Sequence, residues 1–508
     1  MSFIRKIKRN GRIYLAEVET KRVDGKVKQK FIRYLRVEPN AKKSIFPSSH
    51  SGFKMDGVKV YGSVIVLDFL SRQLGLYDLL GEHAYAIMTL VFCHCHDYRS
   101  VLDVERWFKK TDLDQIFGVP EITEKQLRNA LNALENLDHL QLQKSIFEMA
   151  SRLCNEKSSS VIYDVTNIYF EGTHCNLAKY GKDKENVKGR RLVQIGLGIT
   201  KERGLPIFHQ VHPGNVHDSK IFKEAITLLR RYGIRNGTII HDRGITSKSS
   251  VLKLSELRWK VIAGVPLHRG IKNAISEVDL SNIETFGNLI QQGKTPFYAT
   301  SLNYTLGDTQ GKLLILLNPF QKQEQRQFRM RSILEAQQTL KDKKEIDSWL
   351  KKFFSKSGKI NTHSIRRKEK YDGISILFTN GKFSREEMIR LYFEKDTIEK
   401  SFQSLKGVLG LRPVRFWLQD KVNAPILICY LSYTLLTTFK FFLYKNKGKE
   451  YFSNLSVTQA LEELNNIYRI YFQKNINDKN KKNKLSQLVT MTSLQEKIIS
   501  AFSPNLIL

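Results

Sequence analysis

Cysteine is scarce in this 508-residue chain, and the five present (Cys93, Cys95, Cys154, Cys175, Cys429) are scattered. They lack the density and spacing of a disulfide framework, which excludes a stapled secreted scaffold and fits a reducing cytoplasm. Acid is in short supply too. Asp and Glu number 50 against 83 Lys and Arg, a formal net charge of +33. An excess of this size points to a polyanionic partner, most simply nucleic acid, because each neutralised phosphate releases counterions. A membrane surface, or solubility alone, is the blander explanation of the same charge. The first residues, Met1-Ser-Phe-Ile-Arg-Lys-Ile-Lys-Arg9, are basic but have no apolar core behind them, so they do not read as a secretory signal. Long uncharged runs are also rare. Residues 422–439 form one, but Asn423, Pro425, Ser432, Thr434, Thr437 and Thr438 interrupt it, and a buried core helix is expected there rather than a membrane span. A hydrophobic content of 41% is that of a globular protein, and the length allows more than one domain.

Residues 1–36 carry twelve basic side chains against three acids. Alternating runs at Ile13–Glu19 and Val27–Leu35 flank Asp24-Gly25, a hairpin signal. A small basic β-unit is expected, with Arg5, Lys6, Lys8, Arg9 and Arg12 as DNA contacts; a solvated hairpin is the alternative. Apolar periodicity predicts helices at Ser63–Leu76, Tyr85–Cys93, Val101–Phe108 and Glu124–Leu142. Three strands follow at Val161–Val165, Leu192–Ile199 and Pro206–Val211, then a helix over Ser219–Tyr232 and a strand at Thr238–His241. A helix near Ser247–Leu257 and a strand at Lys260–Val265 complete this stretch. Between about 266 and 370 the pattern changes to short strands (Phe297–Tyr304, Lys312–Leu317) and a charged helix over Lys322–Phe354, broken at its middle or end. Strand Ile374–Thr379 restores the earlier style, and Ser384-x-x-Glu387 is a capping box opening a long helix to about Gly407. No internal repeat is present, and the Lys/Asn-rich stretch Asn475–Lys484 reads as a solvated loop.

This order is that of an α/β, ribonuclease-H-like catalytic core interrupted by a mixed insertion before its last helix. A basic β-unit and helical regions stand on both sides of it. The expected divisions are a basic hairpin unit contacting DNA (1–45), a helical DNA-binding or helper region (46–157) and the first part of the core (158–265). The insertion (266–370), the last part of the core with the catalytic helix (371–445) and a helical tail for dimerisation or DNA contact (446–508) follow.

Asp164 lies in the middle of the strand Val161-Ile-Tyr-Asp-Val-Thr, where burial is costly unless the carboxylate is paired or metal-bound. Asp242 ends the run Thr238-Ile-Ile-His-Asp, at the carboxyl end of a strand, where open α/β sheets hold their ligands. An aspartate after a strand also serves as a turn or cap residue. Two of them, 242 − 164 = 78 residues apart with strands between, suggest carboxylates on adjacent strands. In the late helix Tyr392, Lys395, Glu399 and Lys406 stand at offsets 0, 3, 7 and 14, which brings them onto one face of a regular helix. A carboxylate, two cations and a phenol on one face suit a metal-bound phosphodiester; a solvated, ion-paired face is the alternative.

That spacing resembles the Y-x2-R-x3-E-x6-K signature of DDE transposases of the insertion-sequence-four group, with Lys395 where the family usually has Arg. Tyr163-Asp-Val-Thr166, Pro213-Gly-Asn-Val-His-Asp-Ser219, Ile240-His-Asp-Arg-Gly244, Tyr371-Asp-Gly373 and Leu411-Arg-Pro-Val414 are similar to further blocks of that group over about residues 160–440. The basic start resembles a long subgroup related to insertion sequence sixteen-thirty-four. The resemblance implies a metal triad of Asp164, Asp242 and Glu399 holding two Mg²⁺ (or Mn²⁺) ions. It implies cleavage at transposon ends and joining of the freed 3′-OH to target DNA by a homodimer that holds two terminal inverted repeats. Tyr392, Lys395 and Lys406 are then phosphate contacts, with Arg243, beside Asp242, counted among the DNA-binding residues. Arg to Lys at 395 forgoes the bidentate fork.

Asp218 is expected as a helix-start residue and Asp372 as a strand-opening or turn residue. Cys93-His-Cys-His-Asp97 lacks a second ligand pair at zinc-finger spacing and sits in an apolar helix pattern. Gly196-x-Gly198 lies inside a strand pattern and is no nucleotide loop. The loop carrying Lys182, Lys184, Lys188, Arg190 and Arg191 can meet the DNA backbone, with Lys188, Arg190 and Arg191 as candidate contacts, or be solvated. The expectation is a cytoplasmic, nucleoid-associated transposase acting on double-stranded DNA, with no membrane. The rivals are a nuclease of the same fold that cuts without joining, and a domesticated DNA-binding protein.

Overall fold

The computed structural model describes residues 2–9, 12–23, 26–37, 53–97, 99–157, 160–170, 175–185, 187–342, 344–355, 357–408, 422–445, 452, 455–474, 484–503 and 506. Two compact units divide the chain. One comprises Met1–Val58 with Ile470–Leu488, the other Lys59–Arg469 with Val489–Leu508.

In the smaller unit β1 (Ser2–Arg9), β2 (Arg12–Val23) and β3 (Lys26–Val37) form an antiparallel sheet in the order β1-β2-β3. The Val23↔Lys26 pairing centres the second hairpin on Asp24-Gly25, which itself lies outside the described residues. The first strand was not expected from the sequence, because its cations, Arg5, Lys6, Lys8 and Arg9, mask the alternation of Phe3 with Ile7. A second sheet pairs β4 (Phe53–Val60) with two strands from the tail, β15 (Tyr468–Lys474) and β16 (Lys484–Leu488). The tail expected to be helical, 446–508, thus holds these two strands beside its helices Val457–Asn465 and Ser493–Phe502. Tyr468-Arg-Ile-Tyr-Phe is rich in aromatic residues and holds a β-branched one, types that favour a pleated, half-buried surface over a helix.

The larger unit opens with helices Gly62–Gln73, Ala84–His96 and Val101–Lys110, near the expected bounds. The single helix expected over Glu124–Leu142 is two, Glu124–Asn136 and His139–Leu153. Asp138 ends the first by accepting the Leu140 and Gln141 N–H groups as the cap of the second. These helices enclose Asn423–Lys445, whose apolar stretch of mean hydropathy 1.6 is 72% buried within the protein. Cys93, His94 and Cys95 are packed inside this bundle, with Cys429 against the His94 ring.

Among the described residues ten strands form one mixed sheet in the order β11-β12-β13-β14-β10-β9-β5-β7-β6, with β8 also on β7. These are β5 (Ser160–Tyr169), β6 (Lys179–Tyr180), β7 (Arg191–Thr200), β8 (Pro206–Pro213), β9 (Gly237–His241) and β10 (Trp259–Val265). The remaining four are β11 (Leu289–Gln292), β12 (Thr295–Leu306), β13 (Thr309–Leu317) and β14 (Ile374–Thr379). At its centre β5, β9 and β10 run parallel, flanked by antiparallel β7 and β14. One face packs Tyr163, Val165 and Ile239 against Phe222 and Leu254 of helices Asp218–Arg231 and Lys248–Glu256. The other packs Ile162, Ile240 and Ile262 against Leu391, Ile398 and Phe402. Past β14 the strands β11–β13 continue the same sheet outward. The charged helix beyond them, Pro319–Lys341, is tied back by a buried pair, Arg329 to Asp372 at 2.8 Å. Asp372 precedes β14 in a turn, as expected, but its carboxylate is committed to this pair.

Candidate active site

Strand alternation decides where the first aspartate points. Tyr163 and Val165 fill the core on one face of β5, so Asp164 shares the other face with Ile162, beneath the late helix. The parallel register Ser160↔Thr238, Val161↔Ile239, Ile162↔Ile240 has an offset of 240 − 162 = 78. The pairing ends two residues short of the aspartates, and beyond it Asp164 and Asp242 line one cavity. On the other side Ala263 pairs with His241, which brings Gly264 alongside Asp242. The loop after Asp242 is fastened there by Thr246, whose hydroxyl donates to Gly264 O at 2.7 Å.

The late helix is anchored by Leu391, Ile398 and Phe402, but it is not the continuous rod expected to Gly407. Arg385–Phe393 starts at the Ser384/Glu387 capping box, as read from sequence, and stops before Lys395. There the bonds from Lys395 N to Tyr392 O and from Thr397 N to Glu394 O tighten to i→i+3. Asp396–Gln403 resumes the helix, and Ser404–Val408 widens into a π turn. The block Leu411–Val414 lies outside the described residues.

Two of the four aligned side chains, Tyr392 and Lys395, meet the second aspartate, and Lys395 ties in a third, Glu399. The Tyr392 hydroxyl donates to Asp242 Oδ1 at 2.7 Å. Lys395 Nζ stands 3.5 Å from Asp242 Oδ1 and 3.1 Å from Glu399 Oε1, and lies 5.3 Å from the centre of the Tyr392 ring. Gly264 makes this contact possible: a Cβ there would come within 2.8 Å of the Tyr392 hydroxyl oxygen. Lys406 turns toward the first aspartate instead, where it feels the charges of Lys184, Asp164 and Asp183.

The two aspartates differ electrically. Burial pushes the Asp164 carboxyl up to about 6; Lys184, the Val165 N–H at 2.8 Å and Lys395 counter this, and Asp242 adds to it. Burial also opposes ionisation of Asp242. There, however, Lys395, the Tyr392 hydroxyl and the Arg243 backbone N–H outweigh it, and its carboxyl is held below the ordinary range. Burial depresses the Lys395 ammonium, yet Asp242 and Glu399 raise it above the usual lysine value. For Lys406 burial prevails, helped by Lys184, and the ammonium falls below that value. The Tyr392 hydroxyl is raised by burial and by Asp242, so it remains a donor.

Asp164 and Asp242 line one cavity of about 800 Å³ together with Lys184, Asp218 and Arg243. Lys184, read from the sequence only as one of the loop lysines that can meet the DNA backbone, bonds Val165 O and stands 3.2 Å from Asp218, which opens the helix Asp218–Arg231 as expected. Only the loop's return over β5 reveals this role, and its one trace in the sequence is the concentration of lysine there. Arg243 is exposed and also borders a second cavity of about 390 Å³ beside Tyr392 and Lys395. Arg190 covers the Tyr169 ring at 4.3 Å and pairs with Glu185, and Arg191 lies 5.8 Å from the Tyr180 ring. Lys188 is exposed. In the smaller unit Arg5, Lys6, Lys8 and Arg9 lie along β1, and Arg12 opens β2. Among the described residues no three carboxylate, imidazole or thiolate groups are close enough to share a metal ion. The reason is local: Glu399 reaches Asp242 only through the ammonium of Lys395.

No curated protein sequence matches the chain. Among solved structures, the chain is similar to the piggyBac transposase in a cryo-EM synaptic complex with hairpin DNA. The identity is 12% and the TM-score 0.39, with 80% of this chain and 76% of that one covered. Mos1 transposase in a paired-end complex with its left transposon end gives 13% identity and a TM-score of 0.15, covering 32% of this chain and 58% of that one. Residues 155–435, more than half of the sequence, match the family described as the transposase DDE domain, and they contain Asp164, Asp242, Tyr392, Lys395, Glu399 and Lys406. The chain belongs to the DDE transposase family.

Proposed function

We propose that this transposase cuts DNA at the ends of its element and joins the freed 3′-OH to a target, using Asp164, Asp242 and Glu399 as its metal-binding triad. The observation that carries the reading is that Asp164 and Asp242, from β5 and the end of its parallel neighbour β9, line one cavity. The strand order β7-β5-β9-β10, with β7 antiparallel to the rest, supports a ribonuclease-H-like core. The donor chemistry suits Mg²⁺ or Mn²⁺: oxygen ligands only, on an open cavity wide enough for a phosphate and its waters. Glu399 joins the set once Lys395 gives way. A pair of such ions would supply an activated water and neutralise charge on the attacking and leaving oxygens.

The chain's own residues do the positioning. Tyr392 fixes the orientation of Asp242 through its hydroxyl. Lys184 and Arg243 line the cavity, and Lys406 lies within electrostatic reach of Lys184 and Asp164; these cations would hold a strand by its phosphates. The +9 excess over residues 1–36 supports a contact of the basic sheet with duplex DNA. We further infer action on two terminal inverted repeats by a homodimer, in a reducing cytoplasm where the five buried cysteines stay as thiols. The spacing Tyr392, Lys395, Glu399, Lys406 supports membership of the insertion-sequence-four group. The test is incubation of the protein and Mg²⁺ with DNA carrying the element's own ends. Joined product is expected; cut product without joining makes the protein a nuclease, and neither product makes it a DNA-binding protein. Ala at Asp164, Asp242 or Glu399 should abolish cutting and spare DNA binding.

A further inference from the structure

Lys395 holds together two carboxylates that would otherwise repel each other. Its ammonium lies 3.5 Å from Asp242 Oδ1 and 3.1 Å from Glu399 Oε1, and among the described residues it is the cation at ion-pair distance from both. It is itself largely covered, its side chain 22% exposed, whereas those of Asp242 and Glu399 are 39% and 49% exposed. Oδ1 of Asp242 already accepts the Tyr392 hydroxyl, so little of its lone-pair density is left while the ammonium is near. Lysine is a compact point charge on a flexible stem, and here it sits where the helix breaks, beside the cavity shared by Tyr392 and Arg243.

The geometry points to Lys395 as a tethered counter-ion that occupies the place of the metal until DNA draws it away. This rests on the proposed triad. Without DNA, a divalent ion must displace the ammonium from both carboxylates, so metal binds weakly. A backbone phosphate entering beside Lys395 offers the ammonium another anion, which frees Asp242 and Glu399 together. Metal and DNA therefore bind cooperatively, and each must raise the affinity of the other by the same factor. The site is armed only when DNA is present, which limits stray hydrolysis.

The experiment is calorimetric titration of the full chain with Mn²⁺, with and without a random-sequence duplex, for wild type and for Lys395→Met, Lys395→Arg and Asp242→Asn. Circular dichroism and the Mn²⁺-induced rise in melting temperature give a second readout on the same proteins. Without DNA, Lys395→Met should bind Mn²⁺ about tenfold more tightly than wild type, equivalent to ~1.4 kcal/mol. Lys395→Arg, which keeps the charge, should stay near wild type. The duplex should tighten Mn²⁺ binding by wild type and do so far less for Lys395→Met. Mn²⁺ affinity that is unchanged or weaker in folded Lys395→Met, or an equal gain from DNA in both proteins, overturns the proposal. Asp242→Asn separates the two ideas. If it abolishes Mn²⁺ binding while Lys395→Met changes nothing, the triad stands and the counter-ion role falls; if it binds Mn²⁺ like wild type, the triad reading falls.

Discussion

Gly264→Ala offers a way to disturb the site without touching any residue that carries chemistry. The new methyl would come within 2.8 Å of the Tyr392 hydroxyl oxygen, 3.0 Å of Arg243 N and 3.3 Å of Arg243 Cβ. Gly264 sits in β10 away from positive φ, so alanine meets no conformational penalty there. Arg243 N is backbone held by the loop, whereas the phenol is the far end of a side chain, so Tyr392 is the group that swings. Its 2.7 Å bond to Asp242 is lost. A hydrogen bond to a charged group contributes about 1.5–3 kcal/mol. If the bond aligns Asp242 in the transition state, single-turnover cleavage of end DNA should slow by roughly 10- to 150-fold. Tyr392→Phe removes the same hydroxyl and should lose a similar factor. The phenylalanine ring leaves room for the methyl, so the double variant should be no worse than Tyr392→Phe alone, a coupling of about the full single effect. Wild-type cleavage by Gly264→Ala, or losses that multiply in the double variant, would refute the steric route through Tyr392.

Three further outcomes follow from the same geometry. Asp164 is raised to about 6 by burial, so the fold favours its neutral form; no penalty exists below the unfolded value, and one accrues as pH rises toward 6 and stays above it. Asp164→Asn should therefore melt higher than the metal-free wild type at pH 7–8, by the equivalent of about 3 kcal/mol. The gap should close by about pH 4, and an equal gap at both ends excludes the buried-charge account. Arg329→Ala leaves the buried Asp372 with only the more exposed Arg326, 3.7 Å away, so denaturant unfolding should report a loss of up to about 3–5 kcal/mol, partly recovered by adding Asp372→Ala. Deleting residues 1–36 removes twelve cations with β1–β3 and should flatten the salt dependence of DNA binding; an unchanged slope assigns the contact elsewhere.

The elements that could be read from the sequence were those whose signals are local. The strands Val161–Val165 and Thr238–His241 announce themselves by apolar runs, and the helix after Ser384 by its capping box. The 78-residue interval between the aspartates proved to be the register offset of two neighbouring parallel strands, a relation that no local pattern states. The roles of Lys184 and Gly264 were illegible for the same reason. One matters because a loop returns across β5, the other because its strand lies beside Asp242 and must leave room for a phenol. The split at Asp138 was legible in principle, since a cap-forming residue interrupts the periodicity, but the hydrophobic pattern ran through it. β1 was hidden by its own charges.

The break at Lys395 changes what the aligned spacing means. On a regular helix Glu399 and Lys406 share a face but lie about 10 Å apart along the axis, farther than one phosphate can bridge. The structure resolves this by dividing the labour. Tyr392, Lys395 and Glu399 gather at Asp242 around the tightened turn, where i→i+3 bonds bring successive side chains nearly into line. Lys406, carried on the π turn, faces Asp164 and the Lys184 loop. Asp242 is held by Lys395 and Asp164 chiefly by Lys184, and the two helix lysines are tuned in opposite directions, Lys395 raised and Lys406 lowered. For Lys395 the two carboxylates outweigh burial, whereas the Lys406 ammonium is lowered first by burial and then by Lys184. An incoming phosphate would relieve the repulsion between Lys406 and Lys184, whereas Lys395, held by two carboxylates, would have to be released first.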